Sequence, residues 1–521
     1  MAGPTGRLLT NVFSSWAGFV IRIVIAFFFV PYITVVLGDA RYGVWILVFQ
    51  IVNYFFLFDV GLERALSRFL PRYLGLDDYE SFNRVLNSAT VVYAAIALVT
   101  LMASAVTARY VFPLFELTDP SLLNEGQTAL FLIGVFVALR FVLFPFGGSL
   151  GAIHRFDIAK TLEVAEEIGK TLVYVLLLTY GYGLVALAVT MIAFSLARNL
   201  VGVFWLKRLH PEVQIGRRFV TGETVRALFR YSRVSFGVAV AWMILFNSDS
   251  ILLGLLASTA AVGVYAPGAQ LMLYVRHLVN ALGGPLTPLI AHVEATDSLE
   301  KVRQVYLRSL TYVAYLGVFL CVGILAYAGR FVTLWLAPEF HDSFFVMFIL
   351  AISGTVFLPQ IVGNAVLFGI EKHGYLLWIL VLEIVLKLGT ALALFFGAEV
   401  VGDGGAAVDT VKRSVILMAS ASAFPQALLS LTLYPVLMAR ALKLRIRTIW
   451  HSTLVPGGLA AAITGPTAHV CLKVWPETDW LSLSANILVC TVLACAGFFL
   501  IVLEPEDRLR LRSWLTFRKR S

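Results

Sequence analysis

The chain has 521 residues, of which 60% are hydrophobic and only 14% charged, with a mean hydropathy of +0.87 and a formal net charge of +9. That composition excludes an ordinary soluble protein, and no large soluble domain fits between the apolar runs. The basic balance suggests nucleic acid or an anionic lipid surface as a partner, and where the charges fall decides between them.

The N-terminus carries one early basic residue, Arg7, followed by an apolar run too long for the core of a signal peptide, so a retained first spanning helix is expected. The stretch 37–72, LGDARYGVWILVFQIVNYFFLFDVGLERALSRFLPR, comes next. It opens on a polar turn, runs through mostly apolar residues and closes on Asp59, Glu63, Arg64, Arg68 and Arg72. Twenty such residues at about 1.5 Å each span roughly 30 Å, the thickness of a bilayer's hydrocarbon core. A spanning helix that leaves through arginines has that end in the cytoplasm.

Apolar periodicity predicts about fourteen spans: 11–36, 42–64, 86–108, 128–153, 161–180, 184–206, 232–256, 262–290, 307–329, 344–369, 375–397, 414–439, 453–472 and 481–503. The fifth is the weakest, because Glu163, Glu166, Glu167 and Lys170 crowd its first half. With both termini in the cytoplasm, only Arg41, Arg109, Arg330, Lys412, Arg413 and Lys473 fall in outer loops. Six more of the 40 Lys and Arg lie inside spans, which leaves 28 on the inner side. This is the positive-inside bias, and it assigns the basic charge to topology and lipid contact rather than nucleic acid.

The chain also repeats itself. LGDARYGVW at 37–45 is answered by LASTAAVGVY at 256–265, with Gly43 against Gly263 and Trp45 against Tyr265. GAIHRFDIAKTLEVAEEIGK at 151–170 parallels FGIEKHGYLLWILVLEIVLK at 368–387, which sets Glu166 and Lys170 against Glu383 and Lys387. The expected organisation is an all-α polytopic membrane protein with two pseudo-symmetric six-helix bundles around a central cavity, plus two extra C-terminal helices. Residues 1–206 form the first bundle, 207–233 a basic cytoplasmic linker, 234–440 the second bundle, 441–503 the two added spans and 504–521 a basic cytoplasmic tail. Paired halves of this kind place a substrate path at their interface.

The charges inside spans are the candidate site. A charge near the bilayer centre costs at least about 2.5–3.5 kcal/mol, so its side chain faces protein or water. Arg22, Arg140, Arg198, Arg276 and Lys387, with Lys170, come from both halves and are candidates to converge on a multiply charged anion. The competing reading is that each one snorkels or pairs with a carboxylate between helices. Asp249, Glu383 and Asp59 are candidates for ion coupling, although Glu383 sits one turn before Lys387, where an ion pair within the helix is possible. Asp59 and Glu63 stand near Arg64 and Arg68, where pairing competes with coupling. Gly169-Lys170-Thr171 is not a phosphate loop, because Val164 stands where that motif needs glycine. The four cysteines, Cys321, Cys471, Cys490 and Cys495, sit in apolar segments without CxxC spacing and read as buried thiols.

LGDARYGVWILV, FFLFDVGLERALSRFLPRY and NSDSILLGLLASTAAVGVYAPGAQL together resemble the polysaccharide-biosynthesis transporters. These are the Wzx-type lipid-linked oligosaccharide flippases of the multidrug/oligosaccharidyl-lipid/polysaccharide superfamily. The likeness runs from about residue 7 to 447. It implies two six-helix bundles and transfer of a polyprenyl-pyrophosphate-linked oligosaccharide from inner to outer leaflet by alternating access. It also implies a place in a bacterial inner membrane, with cavity arginines holding the anionic head. No cofactor is implied beyond a possible coupling to sodium ion or proton. Partners would be the lipid-linked substrate, membrane lipids, and a polysaccharide polymerase or glycosyltransferases. An ion-coupled multidrug or cation antiporter of the same fold is the alternative, and it would want acids rather than arginines to dominate the cavity. A membrane glycosyltransferase or polymerase would need a large outer loop carrying catalytic acids, and the chain has none, so no enzyme is expected.

Overall fold

A backbone that crosses hydrocarbon must satisfy its own polar groups, and helices do so locally. In the computed structural model the described residues are 4–59, 62–115, 117, 119–147, 150, 156–283, 286–287, 290, 293–294, 299–370, 372–400, 407–475, 479–504 and 507–508, and they contain helices and no strand. Nine segments among them are long and apolar enough to cross a membrane, which makes the chain a multi-pass membrane protein.

The chain divides into two compact units, 1–263 and 264–521. In the first, α1 (Pro4–Asn53) carries both of the first two expected spans, broken only at Gly38, whose φ of 73° is open to glycine. The chain then tightens into a 3-10 turn over Tyr54–Asp59. Residues three apart eclipse in that geometry, and the rings of Phe55 and Phe58 stack at 6.0 Å. There follow α2 (Leu62–Gly75), α3 (Tyr79–Val106), α4 (Pro120–Gly147), α5 (Phe156–Thr179), α6 (Leu184–Leu209) and α7 (Gly222–Leu256). Asp78 caps α3, accepting from the Ser81 amide at 2.9 Å, and Thr221 caps α7.

In the second unit α8 (Thr259–Gly283) crosses the boundary. It is followed by α9 (Leu299–Trp335), α10 (Ser343–Phe357), α11 (Gln360–Gly369), α12 (His373–Val400), α13 (Ala407–Leu431), α14 (Leu433–Leu442), α15 (Ile446–Val474) and α16 (Trp480–Gly497). The tenth and twelfth expected spans are each two helices in succession, α10 with α11 and α13 with α14. The first break falls at Pro359, which has no amide to continue the ladder.

The duplication is visible in the packing. Within the first unit α3 packs on α4, α4 on α6, and α5 on α6. Within the second α9 packs on α10, α10 on α13, and α12 on α13. The division itself differs from the sequence expectation. The boundary follows Gly263 rather than lying in the linker at 207–233, because α7 packs on α1, α2 and α3. The repeated glycines explain how closely: a Cβ on Gly43 would stand 1.8 Å from the Thr259 carbonyl oxygen, and one on Gly263 2.4 Å from that of Asp39. The two copies of the repeated motif touch backbone to backbone. The two added helices join the second unit, α15 on α9 and α16 on α15. Cys321 and Cys490 are buried as expected and Cys471 partly so, whereas Cys495 is exposed.

Candidate functional site

Glu163, Glu166, Glu167 and Lys170 follow the helical spacing i, i+3, i+4, i+7, so α5 carries them as one polar stripe. Each finds a partner of opposite sign at or near hydrogen-bond distance. Lys160 Nζ donates to Glu163 Oε2 at 2.6 Å, Lys170 Nζ to Glu167 Oε2 at 2.9 Å, and Arg198 Nη1, from α6, to Glu166 Oε2 at 2.8 Å. Tyr174, the next position down the stripe, is buried, stacks on Phe29 at 5.8 Å and meets Trp45 edge-on. That aromatic plug closes the stripe toward one end of the unit.

Arg140 on α4 joins the same cluster differently. It is exposed, with its guanidinium 5.1 Å from the centroid of the Phe56 ring. It lies within electrostatic range of Arg198, Glu63, Glu166 and Glu163, which come from α2, α5 and α6. No carboxylate among the described residues comes within ion-pair distance of it. Asp59 caps the start of α2, where the Glu63 amide donates to Oδ1 at 3.3 Å, and the same oxygen accepts the Tyr93 hydroxyl. Two cationic candidates, Arg140 and Arg198, are therefore together in the first unit. Four acids (Glu63, Glu163, Glu166 and Glu167) balance four bases (Arg140, Lys160, Lys170 and Arg198), so the region is charge-compensated rather than simply cationic.

The remaining candidates are dispersed. Arg22 lies in α1, and its side chain is outside the described residues. Asp249 on α7 is half-buried, within electrostatic range of Tyr54. In the second unit Arg276 is half-buried on α8. Glu383 and Lys387 are only 2% and 3% exposed, one turn apart on α12 and within electrostatic range of each other. Tyr434 of α14 sits in range of Glu383 and donates to Asn364 Oδ1 at 3.2 Å. Sequence reasoning missed Tyr434, Asn364 and Tyr93 as members of these clusters. On α5 the signal in the sequence is the stripe spacing together with its match to Glu383 and Lys387 in the second half.

Apolar helices of spanning length, packed in bundles, define the class: an all-α polytopic membrane protein. Residues 8–294, more than half of the chain, match the family described as polysaccharide biosynthesis protein, and the chain belongs to that family. Among curated proteins it is 19% identical over 344 residues to the uncharacterized membrane protein EpsK of Bacillus subtilis, covering 66% of this chain and 68% of that one. It is 25% identical over 335 residues to a protein of Haloferax volcanii named "Probable flippase AglR", covering 62% of each. The chain thus spans about two thirds of the length of these relatives. Among solved structures its fold resembles that of the lipid II flippase MurJ in an inward closed conformation, with a TM-score of 0.67, 12% identity and coverage of 93% and 98%. It also resembles an inward-facing multidrug resistance MATE family transporter of the MOP superfamily, with a TM-score of 0.62, 14% identity and coverage of 80% and 95%.

Proposed function

We propose that the protein moves a lipid-linked oligosaccharide, carried on a polyprenyl pyrophosphate, from the inner to the outer leaflet of a cytoplasmic membrane by alternating access, with both termini in the cytoplasm. The observation that carries this reading is Arg140. It is an accessible guanidinium inside a spanning helix, close to a second one, Arg198, and without a carboxylate of its own among the described residues. Two guanidinium forks suit the oxygens of a diphosphate better than any cationic or neutral cargo. Membership of a polysaccharide-biosynthesis family and a relative named as a flippase support the same direction. Arg22 in the first unit and Arg276 in the second are further proposed head-group cations, and Asp249 and Asp59 proposed coupling acids for a sodium ion or proton. Lys387 and Glu383, at 3% and 2% exposure on α12, suit a structural role better than either of the two first expected of them. A polymerase and glycosyltransferases would act on either side of the transport step.

One observation favours a second reading. Three acids, Glu63, Glu163 and Glu166, lie within electrostatic range of Arg140, and Glu166 also accepts from Arg198, an acidic complement that an ion-coupled antiporter for organic cations could use.

The test is reconstitution in liposomes with a lipid-linked oligosaccharide on one leaflet, reading the rate at which sugar becomes accessible on the other. Removing a charged hydrogen-bonding partner costs about 1.5–3 kcal/mol, so Arg140→Gln should slow transfer by about tenfold or more. Absence of transfer, with uptake of a lipophilic cation against a proton or sodium gradient, would replace this reading with the antiporter.

A further inference from the structure

Arg198 is held by a single hydrogen bond from Nη1 to Glu166 Oε2, and its side chain is still 33% exposed while that of Glu166 is 14% exposed. A guanidinium has five donors in a fixed fork, so most of that fork is uncommitted to Glu166. We propose that Glu166 is a resident counter-anion that competes with the phosphate-bearing head group for Arg198, so that loading and release of the head group proceed by exchange at this one guanidinium. The proposal rests on the reading that the cargo carries a diphosphate, and it assigns to that site a residue the sequence had left aside.

Three features of the first unit point to exchange rather than to a fixed strut. Arg140 lies within electrostatic range of both members of the pair, so an anion that reaches Arg198 is also attracted by Arg140. A carboxylate offers one negative charge, while a diphosphate offers more charge and can span both forks, so it can win the competition locally. The other bases of the stripe are already engaged, Lys170 with Glu167 and Lys160 with Glu163. A displaced Glu166 therefore has no uncommitted base on its own helix, and it is drawn back to Arg198 when the cargo leaves. The device trades affinity for turnover. A purely cationic site would hold a pyrophosphate lipid too tightly to let it go, and an internal competitor lowers that affinity while supplying the push that ejects it.

A strut and a competitor make opposite predictions for one isosteric change. Glu166→Gln keeps the shape and can still accept a hydrogen bond, but it removes the competing charge. The measurement is binding of inorganic pyrophosphate, and separately farnesyl pyrophosphate, to the full-length protein in zwitterionic nanodiscs. Glu166→Gln should tighten both by about fivefold or more and slow oligosaccharide transfer in liposomes, whereas Arg198→Gln should weaken both by about tenfold. In the double variant the gain from Glu166→Gln should vanish, because its effect acts through Arg198. Weaker or unchanged binding in Glu166→Gln, with Arg198→Gln still weakening it, would overturn the competitor and make Glu166 a strut. Binding unaffected by Arg198→Gln, with transfer intact in the wild type, would remove the anion from this pair and leave the flippase reading standing. Glu167→Gln serves as the control for a general charge effect: tightening equal to that of Glu166→Gln would also overturn the proposal.

Discussion

The fifth helix of the first half and its counterpart in the second, α5 and α12, carry the same glutamate and lysine at the same spacing, Glu166 with Lys170 and Glu383 with Lys387. They put them to different uses. On α5 the two never pair with each other. Glu166 reaches across to Arg198 on α6, Lys170 turns back to Glu167, and all four side chains keep between 14% and 33% of their surface. On α12 the two are nearly sealed, at 2% and 3% exposure, with Tyr434 and Asn364 beside them. Access to water or to a charged ligand is what lets an ion pair dissociate, so the burial of the α12 residues suits a structural pair and the exposure on α5 suits the proposed exchange.

The sharpest way to break that contrast is at Lys387. Losing one member of a buried pair strands the other, at a cost of about 3–5 kcal/mol. Lys387→Ala should accordingly lower the thermal midpoint of the purified protein by many degrees. The paired replacement Glu383→Gln with Lys387→Met should recover most of that loss, because no charge is left stranded. If Lys387→Ala proves neutral in a calorimetric or tryptophan-fluorescence melt, the second-half pair is as exchangeable as the first, and the contrast fails.

A second contrast lies at the starts of α3 and α9, the third helix of each half. Asn83 and Asn87, both 4% exposed, act like one edge of a β-ladder for the linker. Asn83 donates to the Glu212 carbonyl at 3.1 Å and accepts from the Gln214 amide at 3.0 Å. Asn87 donates to the Gln214 carbonyl at 2.8 Å and accepts from the Gly216 amide at 2.9 Å. Alternate residues of an extended segment thereby find both partners that a neighbouring strand would supply. In the second half the corresponding grip is one guanidinium, with Arg303 Nε donating to the carbonyl of Leu442, the last residue of α14, at 2.7 Å. Asn87→Ala leaves two backbone groups without partners and should cost about 1–3 kcal/mol. Because those groups belong to the linker, the loss should appear first as protease cleavage between residues 210 and 221, ahead of global unfolding. Arg303→Ala removes one bond to α14, besides an exposed one to Glu300, and should have a smaller effect by the same assay near residue 443.

How far the sequence reveals this follows from what each feature depends on. Spanning helices are carried by apolar runs, so they can be read along the chain. The glycine echo also marked a real contact, since Gly43 and Gly263 lie where a side chain would strike the opposing backbone. The partner of Glu166 could not be read, because it depends on the relative rotation of α5 and α6. Its neighbours Glu163 and Glu167 offered equally good spacings, and the i,i+4 rule pointed to Lys170. The burial of Lys387 was equally hidden, since a lysine in a span reads the same whether it faces a path or a sealed interior. The division after Gly263 escaped for a related reason: linker composition marks where the chain is polar, whereas packing on α1, α2 and α3 decides where α7 belongs.

The smallest expected effect is the most informative about the first half. Arg198 and Glu166 are partly exposed, and pairs of that kind contribute on the order of 1 kcal/mol or less to stability. Arg198→Gln should therefore leave the melting temperature within about a degree or two of wild type. If the first-half pair were structural like its counterpart on α12, the same substitution would strand Glu166 and lower the melt as far as Lys387→Ala does. A stable Arg198→Gln protein that transfers oligosaccharide slowly separates the two roles cleanly, because the loss then lies in what Arg198 binds and not in what it holds up.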